Sequence, residues 1–272
     1  MIGVIVPVHG FAPYLAETLD CVLSQEGVGG SGLDIVVVDD ASPEPLELHP
    51  DHAPHCRLLR REACGGPAAA RETGLAALGS SVSLVALCDA DDAWLPGKLA
   101  LQRAAFDESP DAVACFTRAL IVGADGRATG ERWAELRAGL HAGADLTTLL
   151  YEANPIPTSS VLLRRSALEE AGGFSSPVRV AEDWDLWLRL AARGGGFVCL
   201  AKTLVRYRRH PAGLTADVEA LARCQLELHR AHGGLVSEDV RERALAADAA
   251  ALHSARRTGL RALVPKRDPY RR

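Results

Sequence analysis

Aromatic residues make up only 5% of the 272 residues, and there is a single methionine. So few rings leave little material for the stacking platforms that hold single-stranded nucleic acid. Positive charge is not in excess either. Thirty Lys and Arg face 35 Asp and Glu, a net charge of −5, so the general electrostatic case for a nucleic-acid partner is missing. No two cysteines have Cys-x-x-Cys spacing. Cys21, Cys56, Cys64, Cys88, Cys115, Cys199 and Cys224 are odd in number and scattered, mostly in apolar or alanine-rich surroundings where Cys behaves as a small hydrophobe. That argues against a disulfide frame and a zinc site, and for a reducing compartment. No apolar run reaches the length of a membrane span. The opening apolar stretch, Ile2 to Val8, is too short for a signal-peptide core and lacks basic flanks. A cytoplasmic location is expected.

What is present is the composition of an ordinary soluble enzyme, 48% hydrophobic and 24% charged. The length suits one large α/β domain, or one domain with an appendage. The chain is organised around residues 83–96, Ser-Leu-Val-Ala-Leu-Cys-Asp-Ala-Asp-Asp-Ala-Trp-Leu-Pro. Val82 to Cys88 is apolar without a helical stripe, which predicts a strand covered on both faces. Asp89, Asp91 and Asp92 follow at once. Carboxylates so close repel one another unless a cation sits between them. A divalent ion carrying a phosphate is the functional reading. A solvated turn, with Asp chosen for turn geometry, is the structural one.

Two earlier strands have the same character. Ile2 to Val8 opens into a loop at Gly10, and Asp34 to Val38 runs into Asp39-Asp40-Ala41-Ser42. Between them Tyr14 to Gln25 places Leu15, Leu19, Val22 and Leu23 on one helical face. Strand, helix, strand with parallel-type apolar runs is a right-handed βαβ unit. Such sheets take ligands outside the carboxyl ends of their strands. Three polar strand ends therefore converge on one edge.

Arg57 to Arg60 is a short strand. Gly65-Gly66-Pro67 starts a helix over Ala68 to Leu78, and its N-terminus with Arg71 suits an anion such as a diphosphate. A packing helix with a surface Arg is the alternative. Lys98 to Asp107 reads as helix. Ala112 to Phe116 and Ala119 to Val122 read as two strands, with a turn at Ala124-Asp125-Gly126. Gly130 to Leu150 reads as irregular, and 154–160 as a loop before the strand 161–163. In 181–190, Glu182 and Asp183 open a helix whose dipole favours acids there. Either they only start the helix, or they fix a carboxylate at a site wall. Trp184 and Trp187 share a face of that helix and either pack against a sugar or belong to the core. Val198 to Thr203 reads as a strand. Residues 205–215 bring Arg206, Arg208, Arg209 and His210 to a glycine-containing loop, where His210 is a metal ligand or a plain surface residue. From Ala216 the chain reads as helical, broken at Gly233-Gly234. Its basic tail, 256–272, offers either contact with an anionic membrane surface or a solvated terminus.

In this order the motifs resemble glycosyltransferase family 2, the inverting transferases of GT-A fold. Val6-Pro7-Val8-His9 is similar to that family's opening strand, and Val36 to Ser42 to its second. Gly66 to Leu75 resembles its Gly-x-x-x-Ala-Arg-Asn-x-Gly segment, and Leu87 to Asp92 its Asp-x-Asp-Asp. Leu163 to Phe174 with Glu182 to Trp187 resembles the acceptor-side segment, and Arg206 to His210 its closing Tyr-Arg-x-His. Two positions depart from the pattern. His9-Gly10 stands for Tyr-Asn, and Glu72 stands for Asn, an acid that fits near a diphosphate only by pointing away.

The resemblance implies a mixed, mainly parallel sheet flanked by helices over 1–215. About 1–110 would bind the nucleotide sugar, 111–215 the acceptor, and 216–272 would be a helical extension. The activity implied is metal-dependent, inverting transfer of a hexosyl-type sugar from a nucleotide-diphosphate donor, a UDP-sugar first, to a hydroxyl of a glycan, lipid-linked or small-molecule acceptor. Pro7, Val8, His9, Asp39, Arg71 and Asp89 would bind the donor, with Asp39 accepting from the base and Asp89 holding ribose or metal. Asp91 and His210 would hold Mn²⁺ or Mg²⁺, and Asp183 would be the base. Glu182, Trp184 and Trp187 would face the acceptor. A metal-dependent nucleotidyltransferase or phosphatase and a non-catalytic nucleotide-sugar-binding protein are the rival readings.

Overall fold

A computed structural model describes residues 1–28, 32–133, 136–174, 180–213 and 217–258. Among these, ten strands form one mixed sheet. Its central path runs β3(Cys56–Arg60), β2(Leu33–Asp39), β1(Ile2–Val8), β4(Leu84–Leu87), β9(Leu162–Arg164), β6(Ala112–Val122), β10(Gly196–Arg208) and β5(Ala93–Trp94). Two strands lie off that path: β7(Ala128–Arg132) pairs with β6, and β8(Gly139–His141) with β10.

The first four strands of the path are parallel, with Val8 level with Asp39 and Ile5 level with Leu87. Their carboxyl ends therefore open on the same edge, as the apolar runs predicted. β9 is antiparallel to both β4 and β6 and turns the sheet from one half to the other.

The strands alternate between two cores. Ile5, Val36, Val38, Val85 and Leu87 face one side, under α2(Gly66–Ala77), α4(Gly143–Glu152) and α6(Glu182–Ala192). Val4, Val6, Ile35, Val37, Ala86 and Cys88 face the other, under α1(Leu15–Leu23) and α3(Lys98–Glu108). Each such fully buried Val or Ile contributes about 1.5–3 kcal/mol of transfer free energy. This packing requires glycine where helix meets strand. A Cβ on Gly74 would meet Ile5 Cγ2 at 2.5 Å, so only glycine lets α2 lie on β1 and bring Arg71 to the strand ends.

The second half differs from its sequence reading. Residues 112–122 form one strand, because β10 pairs with them along their length. The stretch expected to be irregular holds β7, β8 and α4. Residues 205–208 lie within β10 and not in a loop. A short α5(Arg165–Glu170) follows β9. After β10 come α7(Val218–Ala231) and α8(Glu238–Thr258). They dock on α4 and α6 through Tyr151 Oη donating to the His229 carbonyl (2.7 Å) and His232 bonded to Asp185 (2.7 Å). Leu214, Thr215 and the tail from 259 fall outside the described residues. No helix among those described is long and apolar enough to cross a membrane.

Candidate active site

The ends of β1 and β2 are locked by two carboxylates. Asp39 is 1% exposed. It accepts from the backbone N–H of Ser42 (2.8 Å) and Leu46 (3.2 Å) and from the Arg60 guanidinium (2.5 Å). Asp40 accepts from the N–H of Gly65 and Gly66 (2.7 Å for Gly66), from the Cys64 thiol (3.3 Å) and from Arg61. Burial opposes the charge on both, and these donors outweigh it, so both carboxyls lie below their ordinary range. Ala41 takes a left-handed φ of 55° to make the turn between them and Ser42.

Expected donor contacts change accordingly. The oxygens of Asp39 face its own loop. The Val8 side chain lies in the sheet core, so Val8 offers a donor only backbone, and its carbonyl already accepts from Asp40 N (2.8 Å). Pro7 is half-buried. His9 is exposed and its Nδ1 lies 2.8 Å from the Asp40 carbonyl. Ligand-type atoms of His9, Asp40 and Cys64 lie within 4.8 Å of one another. Since Asp40 already takes four donors, one of them a guanidinium, we assign no cation to that group.

The turn after β4 is built differently. Asp92 is 1% exposed and points inward, accepting from Ser159 Oγ (2.5 Å) and from Arg208 N (2.8 Å). Burial, then the neighbouring Asp91 and Asp89, push its carboxyl well up. Asp91 points outward, its side chain 33% exposed, with Oδ2 2.9 Å from His210 Nε2. Burial and Asp89 push it up too, against the pull of His210. A carboxylate and an imidazole side by side, partly exposed and short of positive charge, form a donor set that fits Mn²⁺ or Mg²⁺ through the carboxylate oxygen.

Arg71 joins this turn to the other half. It is 3% exposed, donates to Asp89 Oδ1 at 2.6 Å and pairs with Glu182. Burial works against its charge, and Asp89 and Glu182 more than offset that. It is no surface Arg, nor is it open to a diphosphate in this arrangement. Glu182 is pushed up to about 7, by burial first, against the pull of Arg71. Asp183 accepts from Thr158 Oγ1 (2.6 Å) and Asn154 Nδ2 (3.4 Å), and stays partly exposed. Burial raises it as well, and Thr158 and Arg71 work the other way. A partly exposed carboxylate of raised proton affinity suits a general base. Ala181, with φ 73°, holds a left-handed turn that starts α6 at this point.

The sequence description of glycosyl transferase family 2 matches residues 3–172. The chain belongs to that family. A pre-mycofactocin glycosyltransferase of Mycobacterium tuberculosis is 31% identical over 167 residues, covering 60% of this chain and 35% of that protein. An uncharacterised glycosyltransferase of a Nostoc species is 27% identical over 84% of this chain and 72% of that one. The chain thus spans about a third of the first relative's length. Among solved structures, Staphylococcus aureus TarS 1–349 with UDP-GlcNAc superposes with a TM-score of 0.67 at 18% identity, over 95% of this chain and 74% of that one. The Pyrobaculum calidifontis mannosyltransferase PcManGT with GDP-Man and Mn²⁺ gives 0.64 at 19%, over 95% and 76%. The fold is therefore the GT-A arrangement.

For a family 2 member, two expected acceptor-side residues lie elsewhere. Trp184 is 4% and Trp187 0% exposed. Both indoles are in the core because α6 is covered on its apolar side by α4, α7 and the sheet, so neither offers a face to a sugar. Glu182 is buried and committed to Arg71. Glu72 does point away, accepting from Phe174 N at 2.8 Å. Arg208, named in the sequence as a loop cation and as the Arg of the closing motif but given no role of its own, is a buried structural residue. It is 5% exposed, and its guanidinium donates to the Asp91 carbonyl (2.9 Å) and Glu17 (2.7 Å) while lying over the Tyr14 ring. Its position two residues before His210 was the available signal.

Proposed function

We propose that the chain transfers a sugar from a nucleotide-diphosphate donor to an acceptor hydroxyl, with inversion and with a bound Mn²⁺ or Mg²⁺. The observation that carries this reading is Arg71, which ties Asp89 of the metal-side turn to Glu182, the neighbour of the base Asp183, at the carboxyl edge of the parallel strands. Membership of family 2 supports it, as do neighbours of the same fold whose structures hold UDP-GlcNAc, or GDP-Man with Mn²⁺.

Asp91 and His210 would hold the ion, which offsets charge on the departing diphosphate. Asp183 takes the proton of the acceptor hydroxyl while its oxygen forms the bond to the anomeric carbon. The bond from that carbon to the diphosphate breaks with its electron pair, and one displacement inverts the centre. Arg71, fixed between Asp89 and Glu182, keeps the two halves in register. The His9 ring and the Pro7–Val8 backbone line the base pocket. The acceptor is a glycan, a lipid-linked species or a small molecule. We place the activity in the cytoplasm, where seven free cysteines are stable. The basic residues of 256–272 would suit an anionic surface at the inner membrane face, with a solvated terminus as the alternative.

An aspartyl-nucleophile phosphatase is less well supported, because the Asp89 carboxylate is held by Arg71 at 2.6 Å. Thermal-shift screening against a panel of nucleotide sugars, with and without Mn²⁺, tests the reading. Stabilisation by one donor that requires Mn²⁺ is expected, followed by a product of inverted anomeric configuration by NMR. No response to any donor, or retention at the anomeric centre, would sink it.

A further inference from the structure

The loop between α4 and β9 carries two adjacent hydroxyls that serve opposite halves of the site. Thr158 Oγ1 donates to Asp183 Oδ2 at 2.6 Å. Ser159 Oγ donates to Asp92 Oδ2 at 2.5 Å and accepts from Asp89 N at 3.0 Å. The first bond holds the base, and the next pair holds the acidic turn. The three residues Thr158–Ser160 form a short 3₁₀ turn and are 9%, 0% and 0% exposed.

The turn is also fixed from below. Trp94 Nε1 donates to the Ser159 carbonyl (2.7 Å), and Gln102 Nε2 to the Ser160 carbonyl (2.8 Å) and the Cys115 carbonyl (2.7 Å). The fully buried Lys98 donates to Gln102 Oε1 (2.9 Å) and lies over the Trp94 ring. Ser160 Oγ donates to the Pro157 carbonyl (2.6 Å). Packing alone would be met by Ala or Val at 158 and 159. What the hydroxyls add is a hydrogen bond to a carboxylate on each side of a rigid joint. Misplacing reacting groups by about 1 Å costs on the order of a hundredfold in rate, so a joint of this kind bears directly on transfer.

We propose that Thr158 and Ser159 are positioning residues, one orienting the base Asp183 and the other orienting the Asp89–Asp92 turn, so that a single buried turn sets the base against the metal side. This rests on the roles assigned above to Asp183 and Asp91. The two hydroxyls act through different carboxylates, and their loss has different signatures. Thr158 stabilises the ionised form of Asp183, and the charged groups that face Asp183, namely Arg71, Asp89 and Glu182, are unchanged by substituting Thr158. Ser159 does not touch Asp183.

Thr158→Val, Thr158→Ser and Ser159→Ala test this in the full-length protein. Three quantities are read: the titration of the Asp183 carboxyl by carbon-detected NMR, assigned with Asp183→Asn; Mn²⁺ affinity by electron paramagnetic resonance; and sugar transfer. In Thr158→Val, Asp183 is expected to titrate at higher pH, with Mn²⁺ affinity within about twofold of wild type and kcat lower by about tenfold. Thr158→Ser restores both. In Ser159→Ala, Mn²⁺ affinity falls about tenfold while Asp183 titrates as in wild type. The proposal is overturned if Thr158→Val leaves the Asp183 titration unmoved, or if either variant shifts both readouts together. If Ser159→Ala does not fold, Ser159→Cys carries the same comparison. If wild type binds no Mn²⁺, the Thr158 variants decide. The NMR titration needs no turnover, so a wild type that titrates as expected yet transfers no sugar rejects the proposed function and leaves this joint standing.

Discussion

Two parallel strands of one sheet end in aspartates, and the two ends could hardly differ more. At the end of β2, Asp39 and Asp40 are buried, paired with Arg60 and Arg61 and saturated with backbone N–H groups, and both carboxyls are held below their ordinary range. At the end of β4, Asp91 and Asp92 are pushed up, because burial and mutual repulsion exceed the compensation from His210, Ser159 and Arg208. The first pair stabilises its own loops. The second stores unrelieved negative charge, which a divalent cation would relieve. Carboxylates that read alike in sequence thus divide, according to how many donors the fold supplies, into those held low by their partners and those left high, and of the second pair only Asp91 faces outward while Asp92 is buried.

The comparison is tested most strongly by function. Asp91→Ala should abolish Mn²⁺-dependent donor binding and lower transfer by at least about a thousandfold. The same change should leave urea stability unaltered or raised, since it removes a repelling acid. Asp183→Asn should keep donor affinity, while transfer falls by about a hundredfold to ten-thousandfold. Unchanged donor affinity in Asp91→Ala, or near-normal turnover in Asp183→Asn, removes the respective role. Asp40→Ala should show the opposite balance. Breaking a buried pair and leaving Arg61, Gly65 and Gly66 without their acceptor costs about 3 kcal/mol, read as a lower urea midpoint at constant slope.

How much of this was legible in the sequence follows from the range of each interaction. The strand ends were legible, because an apolar run followed at once by Asp is a local signal, and parallel topology then gathers such ends on one edge. The partners were not. Arg71 meets Glu182 across 111 residues and Arg208 meets Glu17 across 191, and no local pattern encodes such pairs. Arg71 read equally well as a surface residue until the fold buried it. The regular elements within 130–150 were missed because β7 and β8 are short strands defined by their pairing with β6 and β10. Their own sequence has little alternation.

Glu182 offers a smaller test of the joint between halves. In the unfolded chain it titrates near 4.5, and in the fold near 7. Between these values the folded state holds the extra proton, so the stability this group confers is full below about pH 4.5 and is lost as the pH rises through about 7. Urea midpoints should therefore decline across this window in wild type, and less steeply in Glu182→Gln. A slope that is the same in both proteins would show that Arg71 keeps Glu182 ionised throughout, and would make the Arg71 bridge a permanent ion pair like those at the end of β2.

The smallest effects belong to the tryptophans, and they distinguish core from wall. Trp184 Nε1 donates to the Leu150 carbonyl at 2.5 Å, and its ring meets His229 edge-on. Trp187 is more deeply buried, yet among the described residues its Nε1 has no hydrogen-bond partner. Trp184→Phe removes volume and leaves a buried carbonyl unpaired, for a loss of about 2–3 kcal/mol. Trp187→Phe removes similar volume but also removes an unpaired buried N–H, and the two effects partly offset, leaving about 1 kcal/mol. The ordering, with the less buried residue costing more, is what separates hydrogen-bond accounting from burial alone. Equal losses, read from urea midpoints, would mean that volume governs both sites.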